Sequence, residues 1–568
     1  MIIGSLAKYY DKLIEDGEKL PMKGYTSRKV KYILDINEIG ELLDIVPNTK
    51  TVEVKGKSRE IAKEFIVPDG GVRSSGIKPY FLCDSSRYLL GFDEKYFNAC
   101  KKLHEEILEG VDNIYAKAVL NFFVRWDIAK VEEHQLIQIR RGDSEFDTTS
   151  FVFRLTHDLK LIHENDEIKE AWESYFKKDL CEEGLCLVSG KRTRLMRLHG
   201  KIKGISGGQA AGVNLVSYNS NAFESFVNSP ISEDIAFSYV ATLNKLLSST
   251  ENKVRMGETT VVFYSEDNSR ISDNLMGFPL GAVIDESEEL KGVFEKLVQG
   301  IPVEEVVLDN LQSDFYIIGL APNNARAAIR FFMKNTFGSF LENIRLHTRR
   351  FEIGGPPDKK LFLTPWELSQ EAVNKNAKEK NDDLIVSILK AILTNGHYPT
   401  SFISKILTRM KADLHGDETT SKHAINYRRV GMIKAYLLKQ TNYPKEEIKM
   451  ALNTEFKEPA YLLGRLFATY ERIQEAEGSN VNIKSNYFAS ASVTPASIFP
   501  NVIKSGELYL QKLEGGLKVY YEKIIGEIMS MLPAEPIPKN LNFEEQNLFV
   551  LGYYHQRQDL FRKKEEEK

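Results

Sequence analysis

Apolar residues along this chain change their spacing near residue 365, and the change divides the molecule into two textures. At the start, Leu6, Tyr9, Tyr10, Leu13 and Ile14 recur at helical intervals and predict an amphipathic first helix. Residues 29–34 alternate and residues 51–54 are β-branched, so both read as strands. Residues 95–123 and 168–178 are helical in pattern, whereas 135–141 and 151–155 read as strands. A helix over 232–247 opens at Ser232 with Glu233 and Asp234 in its first turn, where acids suit the helix dipole. Residues 259–264 and 315–320 are apolar, β-branched strands. The second runs into a segment where Asn323 or Asn324 can cap a helix. Beyond 365 strand signals largely stop. Helical segments follow at 366–377, 382–394, 400–410, 422–440, 445–452, 460–476, 495–513, 517–531 and 543–561, separated by polar or Gly/Pro turns. The fold class expected is therefore α+β. A mixed α/β region of short strands and helices spans 1–364, and an all-α helical bundle spans 365–568, with a further seam near Asn442.

Composition narrows the function classes. The 568 residues are 42% hydrophobic and 27% charged, with a formal net charge of −4. Those proportions describe an ordinary globular protein of two to four domains. Any nucleic-acid contact must come from local patches, because the chain as a whole is not basic. Four cysteines in this length suggest a reducing compartment. The N-terminus lacks a basic start followed by a long apolar core, and no apolar run is long enough to span a bilayer. A cytoplasmic protein with no membrane partner is expected.

One stretch stands apart. From Gly184 to Phe223 there is no Asp or Glu. Its first half carries Lys191, Arg192, Arg194, Arg197, Lys201 and Lys203, with His199 among them. Its second half is small and flexible, with Gly204, Gly207, Gly208 and Gly212 around Gln209, followed by Asn214 and Asn219. Lys and Arg neutralise phosphates, and glycine lets backbone N–H groups approach them closely. A basic strand pair with a solvated face would show the same pattern. Arg326, Arg330 and Lys334 recur every four residues, which on the expected helix puts three cations on one face. The loop after Pro68 holds Arg73, Ser74, Ser75 and Lys78 among glycines; on its own it reads as a connection.

Catalytic patterns are weak. Gly184 and Gly190–Lys191 miss the phosphate-loop spacing, and Arg192 stands where Ser or Thr is required. Cys181 and Cys186 lie near His163 and His199 but lack a second paired arm for zinc. His157–Asp158 resembles half of a metal phosphohydrolase site, without the further helical ligands. No metal or cofactor is expected, and the absence of a convincing catalytic centre favours a binding or scaffold subunit over an enzyme.

Several segments together resemble a known family. LVSGKRTRLMRLHGKIKGISGGQAAGVNLVSYNSNAFESF, FYIIGLAPNNARAAIRFF, YLLGRLFATYERIQ, SASVTPASIFP and FVLGYYHQRQ occur in order along the chain. They resemble signatures of the large subunit of the type I-C CRISPR surveillance complex (Cascade), of the Csd type. The resemblance implies a ribonucleoprotein with guide RNA, a repeated backbone subunit and a subunit that binds the 5′ handle. It implies recognition of a protospacer-adjacent motif in double-stranded DNA, R-loop formation, and recruitment of a separate helicase-nuclease that does the cutting. In that light Gln209 and Asn214 are expected near the groove or the point of strand separation, the cations of the run on phosphates, and the loop from Arg73 to Lys78 at a second DNA contact. The C-terminal bundle would correspond to a small-subunit module. An internal start at Met450, after Lys445–Glu446–Glu447, would release it, and Arg472, Lys484, Lys504 and Lys512 would hold a DNA strand. Two alternatives stay open: a metal-dependent nuclease using His157 and Asp158, and a protein-only scaffold whose basic run meets acidic partners.

Overall fold

The computed structural model describes residues 2–562 except 55–56, 72, 74–75, 177–182, 218–228, 283–287, 307–309, 374–381, 417–419, 421–422 and 479–482. By contact the chain divides into two compact units. The first comprises Met1–Gly204, Gln209–Lys245 and Asn324–Ala327; the second comprises Ile205–Gly208, Leu246–Asn323 and Ala328–Lys568.

In the first unit, helix α1 (Ile2–Glu15) precedes strands β1 (Tyr25–Ile36), β2 (Leu42–Pro47), β3 (Thr49–Val54), β4 (Lys57–Pro68) and β5 (Cys83–Ser85). Helices α2 (Ser86–Leu89), α3 (Glu94–Leu108), α4 (Ile114–Arg125) and α5 (Gln135–Arg140) follow, then β6 (Ser150–Leu155) and α6 (Asp166–Phe176). The long strand β1 organises the sheet. One of its edges pairs antiparallel with β4 over residues 25–30 and with β2 over residues 32–36, and the other pairs parallel with β6. Alternation sends Tyr32, Leu34 and Ile36 into the main core with Phe122, Phe151 and Trp172. A register shift between Val30 and Tyr32 lets Val30 join Ile33 in a smaller cluster with Val67 and Val152. The unit ends with β7 (Glu183–Leu185), β8 (Arg192–Arg194) and most of α7 (Glu233–Ser248).

The second unit holds β9 (Lys253–Met256), β10 (Thr259–Ser265), α8 (Arg270–Leu280), α9 (Glu288–Val298), α10 (Val303–Val306) and β11 (Asp314–Asn323), with β12 running over Arg326–Thr336. Its sheet order is β12-β11-β10-β9. Helices α11 (Phe337–Phe351), α12 (Pro365–Gln370), α13 (Asp382–Leu393), α14 (Thr400–Asp413), α15 (Tyr427–Gln440), α16 (Pro459–Glu477), α17 (Ile483–Ala491), α18 (Pro495–Leu510), α19 (Gly515–Met531) and α20 (Phe543–Arg562) complete it. The mixed α/β front and helical C-terminal region match the expected fold class. The division into units falls elsewhere than 364/365. Phe263 and Phe315 of the sheet share one apolar cluster with Ile388, Phe467 and Phe549 of the later helices.

Three expected elements take another form. The segment after β11 is a strand, not a helix: Asn324 sits at φ +54, a left-handed turn that Asn tolerates, and Phe331 and Met333 alternate into the core. Residues 135–140 are helical rather than extended, since only Ile137 is buried while Ile139 is 67% exposed, so alternation has no face to serve. Residues 445–452 form turns after Pro444, gathered by Asn453, whose side-chain amide donates to the Glu447 carbonyl at 3.1 Å.

Within α16 and α20 the backbones meet at glycine. A Cβ on Gly464 would lie 2.1 Å from the Phe549 carbonyl oxygen, and one on Gly552 would lie 2.1 Å from that of Tyr461. This close approach lets Phe467, Phe488, Phe549 and Tyr553 pack edge to face, with ring centroids as near as 4.9 Å.

Candidate nucleic-acid interface

The basic run is a hairpin and loop pinned by its few apolar side chains. Cys186, Leu195, Ile202 and Val213 are buried, while Lys191, Arg192, Arg194, Arg197 and Lys203 are exposed and Lys201 is half-buried. Strands β7 and β8 pair antiparallel, and Gly190 turns at φ +68. In β8 Arg192 and Arg194 flank Thr193, so alternation sends both cations to one face. Backbone bonds from Leu187 to Pro230 at 2.8 Å and from Met196 to Ile231 at 2.9 Å tie the hairpin down.

Further along, buried His199 brings Nδ1 to 2.7 Å from the Tyr239 hydroxyl of α7. Burial pushes its imidazole down to about 4, so it anchors the run as a neutral ring rather than adding charge. Asn244, also on α7, clamps the next turn: its Oδ1 accepts the Lys203 N–H at 2.8 Å and its Nδ2 donates to the Lys201 carbonyl at 3.1 Å. Ile202 and Val213 exchange both backbone bonds at 2.8 Å. Gly212 turns here at φ +91, where a Cβ would sit 2.9 Å from the Ile202 carbonyl oxygen.

Among the described residues, no carboxylate pairs with Lys191, Arg192, Arg194, Lys201 or Lys203. Gln209 is exposed, and its side chain likewise has no partner among the described residues. Asn214 is differently placed. Its amide donates to the carbonyls of His199 at 2.8 Å and Gly200 at 3.4 Å, so it supports the run from behind. Its backbone also bridges to Arg326, with Asn214 N–H donating to Ala325 at 3.0 Å and Ala327 N–H donating to Asn214 at 2.9 Å. The structure thus brings Arg326, distant in sequence, beside the run. Arg330 and Lys334 belong to the second unit; Arg330 is exposed, and Lys334 pairs with Asp314 at 2.6 Å over the Tyr316 ring. Asn219, Ser74, Ser75 and Cys181 lie outside the described residues.

Arg73 is held internally. It pairs with buried Asp84, donates to the Lys78 carbonyl at 2.7 Å, and stacks between the rings of Tyr80 and Tyr88 at 3.8 and 4.0 Å. Lys78 is exposed.

Of the cations assigned to the C-terminal bundle, Lys484 is 8% exposed and faces Glu471 at 4.0 Å. Arg472 and Lys512 pair with Glu475 and Glu477 at 3.3 and 3.1 Å. Lys504 is exposed and unpaired among the described residues. Asp158 accepts a hydrogen bond from the Tyr115 hydroxyl at 2.9 Å. Among the described residues no three His, Cys, Asp or Glu side chains gather to hold a metal ion, and no helix is long and apolar enough to cross a membrane.

The family described as CRISPR-associated protein Csd1 matches residues 6–561. The chain belongs to this CRISPR-associated family. No curated protein matches it in sequence. The charge pattern had passed over two residues of the same stretch. Leu187 is 59% exposed and Leu198 is 81% exposed within the basic run, each an apolar side chain among cations. The visible signal was their place in a stretch otherwise built for water.

Proposed function

We propose that this chain is the non-catalytic large subunit of a type I-C Cascade ribonucleoprotein. It recognises the protospacer-adjacent motif in double-stranded DNA, promotes R-loop formation beside the guide RNA, and recruits a separate helicase-nuclease. The single observation that carries the reading is the exposure of Lys191, Arg192, Arg194 and Lys203 on the β7–β8 hairpin and the following loop, with no ion-pair partner among the described residues and with Arg326 beside them. Exposed cations of this kind are open to phosphates, with Glu183 opposite Arg194 in the hairpin register. Exposed Gln209 offers a donor and an acceptor to a base edge. Leu198 offers an apolar surface to an unstacking base. Asn214 positions the run rather than reading DNA. The helices after Pro459 act as the small-subunit module, and a product starting at Met450 carries all of them.

The test uses the assembled complex with a guide-matched target beside a randomised flank. Gln209→Ala is expected to change which flanks are selected, whereas Asn214→Ala should weaken binding to all flanks alike. Unchanged flank selection by the Gln209 variant would remove that residue as the reader.

A further inference from the structure

The two faces of the β7–β8 hairpin differ in kind. Its inner face is anchored: Cys186 is buried and its Sγ accepts the Ser232 N–H at 3.3 Å, while a Cβ on Gly184 would lie 2.6 Å from the Leu195 side chain. Residues 184 and 186 therefore point inward, and alternation sends Glu183 and Leu185 outward. Leu185 stands directly opposite Arg192, and Glu183 opposite Arg194. Side chains paired in this way have Cβ atoms about 4.5–5.5 Å apart.

The outer face carries an apolar side and a cationic side. Leu185 is 61% exposed, and Leu187 in the turn beyond it is also mostly exposed. Lys191 and Arg192 return along the other strand, exposed and with no ion-pair partner among the described residues. The turn that joins the two sides is fixed: the Cys186 N–H donates to the Lys191 carbonyl and the Gly190 N–H to the Cys186 carbonyl, both at 2.9 Å. A single exposed leucine is ordinary, whereas two that face cations across a pinned hairpin make an amphipathic surface. Its geometry is set before any partner arrives, which lowers the entropic cost of binding.

Apolar and cationic groups side by side select among forms of nucleic acid. A closed duplex keeps its base faces stacked and offers mainly phosphates, which engage the cations alone. An unpaired strand exposes base faces and phosphates together along one chain. We propose that the outer face of the hairpin binds an unpaired nucleic-acid strand, with bases on Leu185 and Leu187 and phosphates on Lys191 and Arg192. Glu183 faces outward opposite Arg194 and repels phosphate at that end, so the path runs over the turn. The proposal rests on the nucleic-acid reading of this surface and adds which form the hairpin takes.

The experiment uses the full chain and fluorescence anisotropy. The probes are a short DNA single strand of mixed sequence, the same strand made abasic throughout, its RNA counterpart, and a DNA duplex of the same length. Leu185→Ser with Leu187→Ser is compared with Lys191→Ala with Arg192→Ala; all four side chains are exposed, so thermal unfolding of both variants should match wild type. Wild type should bind the base-bearing strand about tenfold more tightly than the abasic one, the scale expected when bases cover two exposed leucines. The leucine variant should lose most of that margin while keeping its affinity for the abasic strand and the duplex. The cation variant should weaken every probe. Whichever of the DNA and RNA strands binds more tightly identifies the strand, and either supports the proposal. No margin in wild type, or an undiminished margin in the leucine variant, would overturn it. Weaker duplex binding by the cation variant would in that case leave the nucleic-acid reading standing without it.

Discussion

In the hairpin and loop, Lys191, Arg192, Arg194, Lys201 and Lys203 have no ion-pair partner among the described residues, whereas Arg429, Arg472 and Lys512, beyond Pro365, are held by carboxylates. In the bundle, Arg429 of α15 is 6% exposed. It reaches Asp413 at 2.8 Å and Glu371 at 3.2 Å, and donates to the Ala424 carbonyl at 2.8 Å. Glu471 of α16 accepts from the Tyr553 hydroxyl at 2.5 Å and pairs with Arg557 at 3.1 Å. Even where the bundle buries a cation without an ion-pair partner, it compensates. Lys434 donates to the α11 carbonyls of Arg350 at 3.1 Å and Arg349 at 3.4 Å, and burial brings its ammonium down to about 8. The lesson is that a count of Lys and Arg says little about polyanion binding. What separates the two regions is whether the protein supplies the counter-charge itself.

The contrast can be broken most severely at Arg429. Arg429→Ala leaves buried Asp413 with Arg409 and Glu371 with Arg428, and should lower stability by about 3 kcal/mol, the lower end for a broken buried pair, in denaturant melts followed by circular dichroism. Gly464→Ala should destabilise the α16–α20 contact by about 1–3 kcal/mol, because a methyl group there meets the Phe549 carbonyl. At Lys434 the effect depends on pH. Its folded value lies below the usual lysine value, so the unfolded chain binds the proton more tightly. Stability should therefore rise as pH increases from about 8 toward 10.5, and Lys434→Met should abolish that rise. The smallest change belongs to the hairpin. Lys191→Ala, Arg192→Ala and Arg194→Ala should each alter stability by no more than about 0.5 kcal/mol, as expected for exposed side chains that hold nothing else in place. A large loss there would mean that the run is structural and that the contrast is false.

Much of this was legible in the chain. The carboxylate-free stretch, the strands at 151–155, 259–264 and 315–320, and most helices after 365 follow directly from charge and periodicity. The cations at 326, 330 and 334 share a face on a strand as they would on a helix, since even spacings serve period two; only the element differed. Three things were hidden because they depend on partners distant in sequence. Asn214 reads as a free polar group until its amide is seen on the His199 carbonyl. Arg73 reads as a loop cation until Tyr80, Asp84 and Tyr88 close around it. Lys484 reads as a surface lysine until α16 and α20 bury it beside Glu471 and the Tyr553 ring. Short side-chain contacts of this kind leave no periodic trace.

The central claim is that Lys191, Arg192 and Arg194 grip phosphates. Its most direct test is the salt dependence of duplex binding by the assembled complex, wild type against the variant carrying Lys191→Ala, Arg192→Ala and Arg194→Ala. Each phosphate contact contributes about 0.9 to the slope of log affinity against log salt, so three lost contacts should reduce that slope by about 2 to 3. An unchanged slope would contradict the account and return the hairpin to the role of a solvated surface.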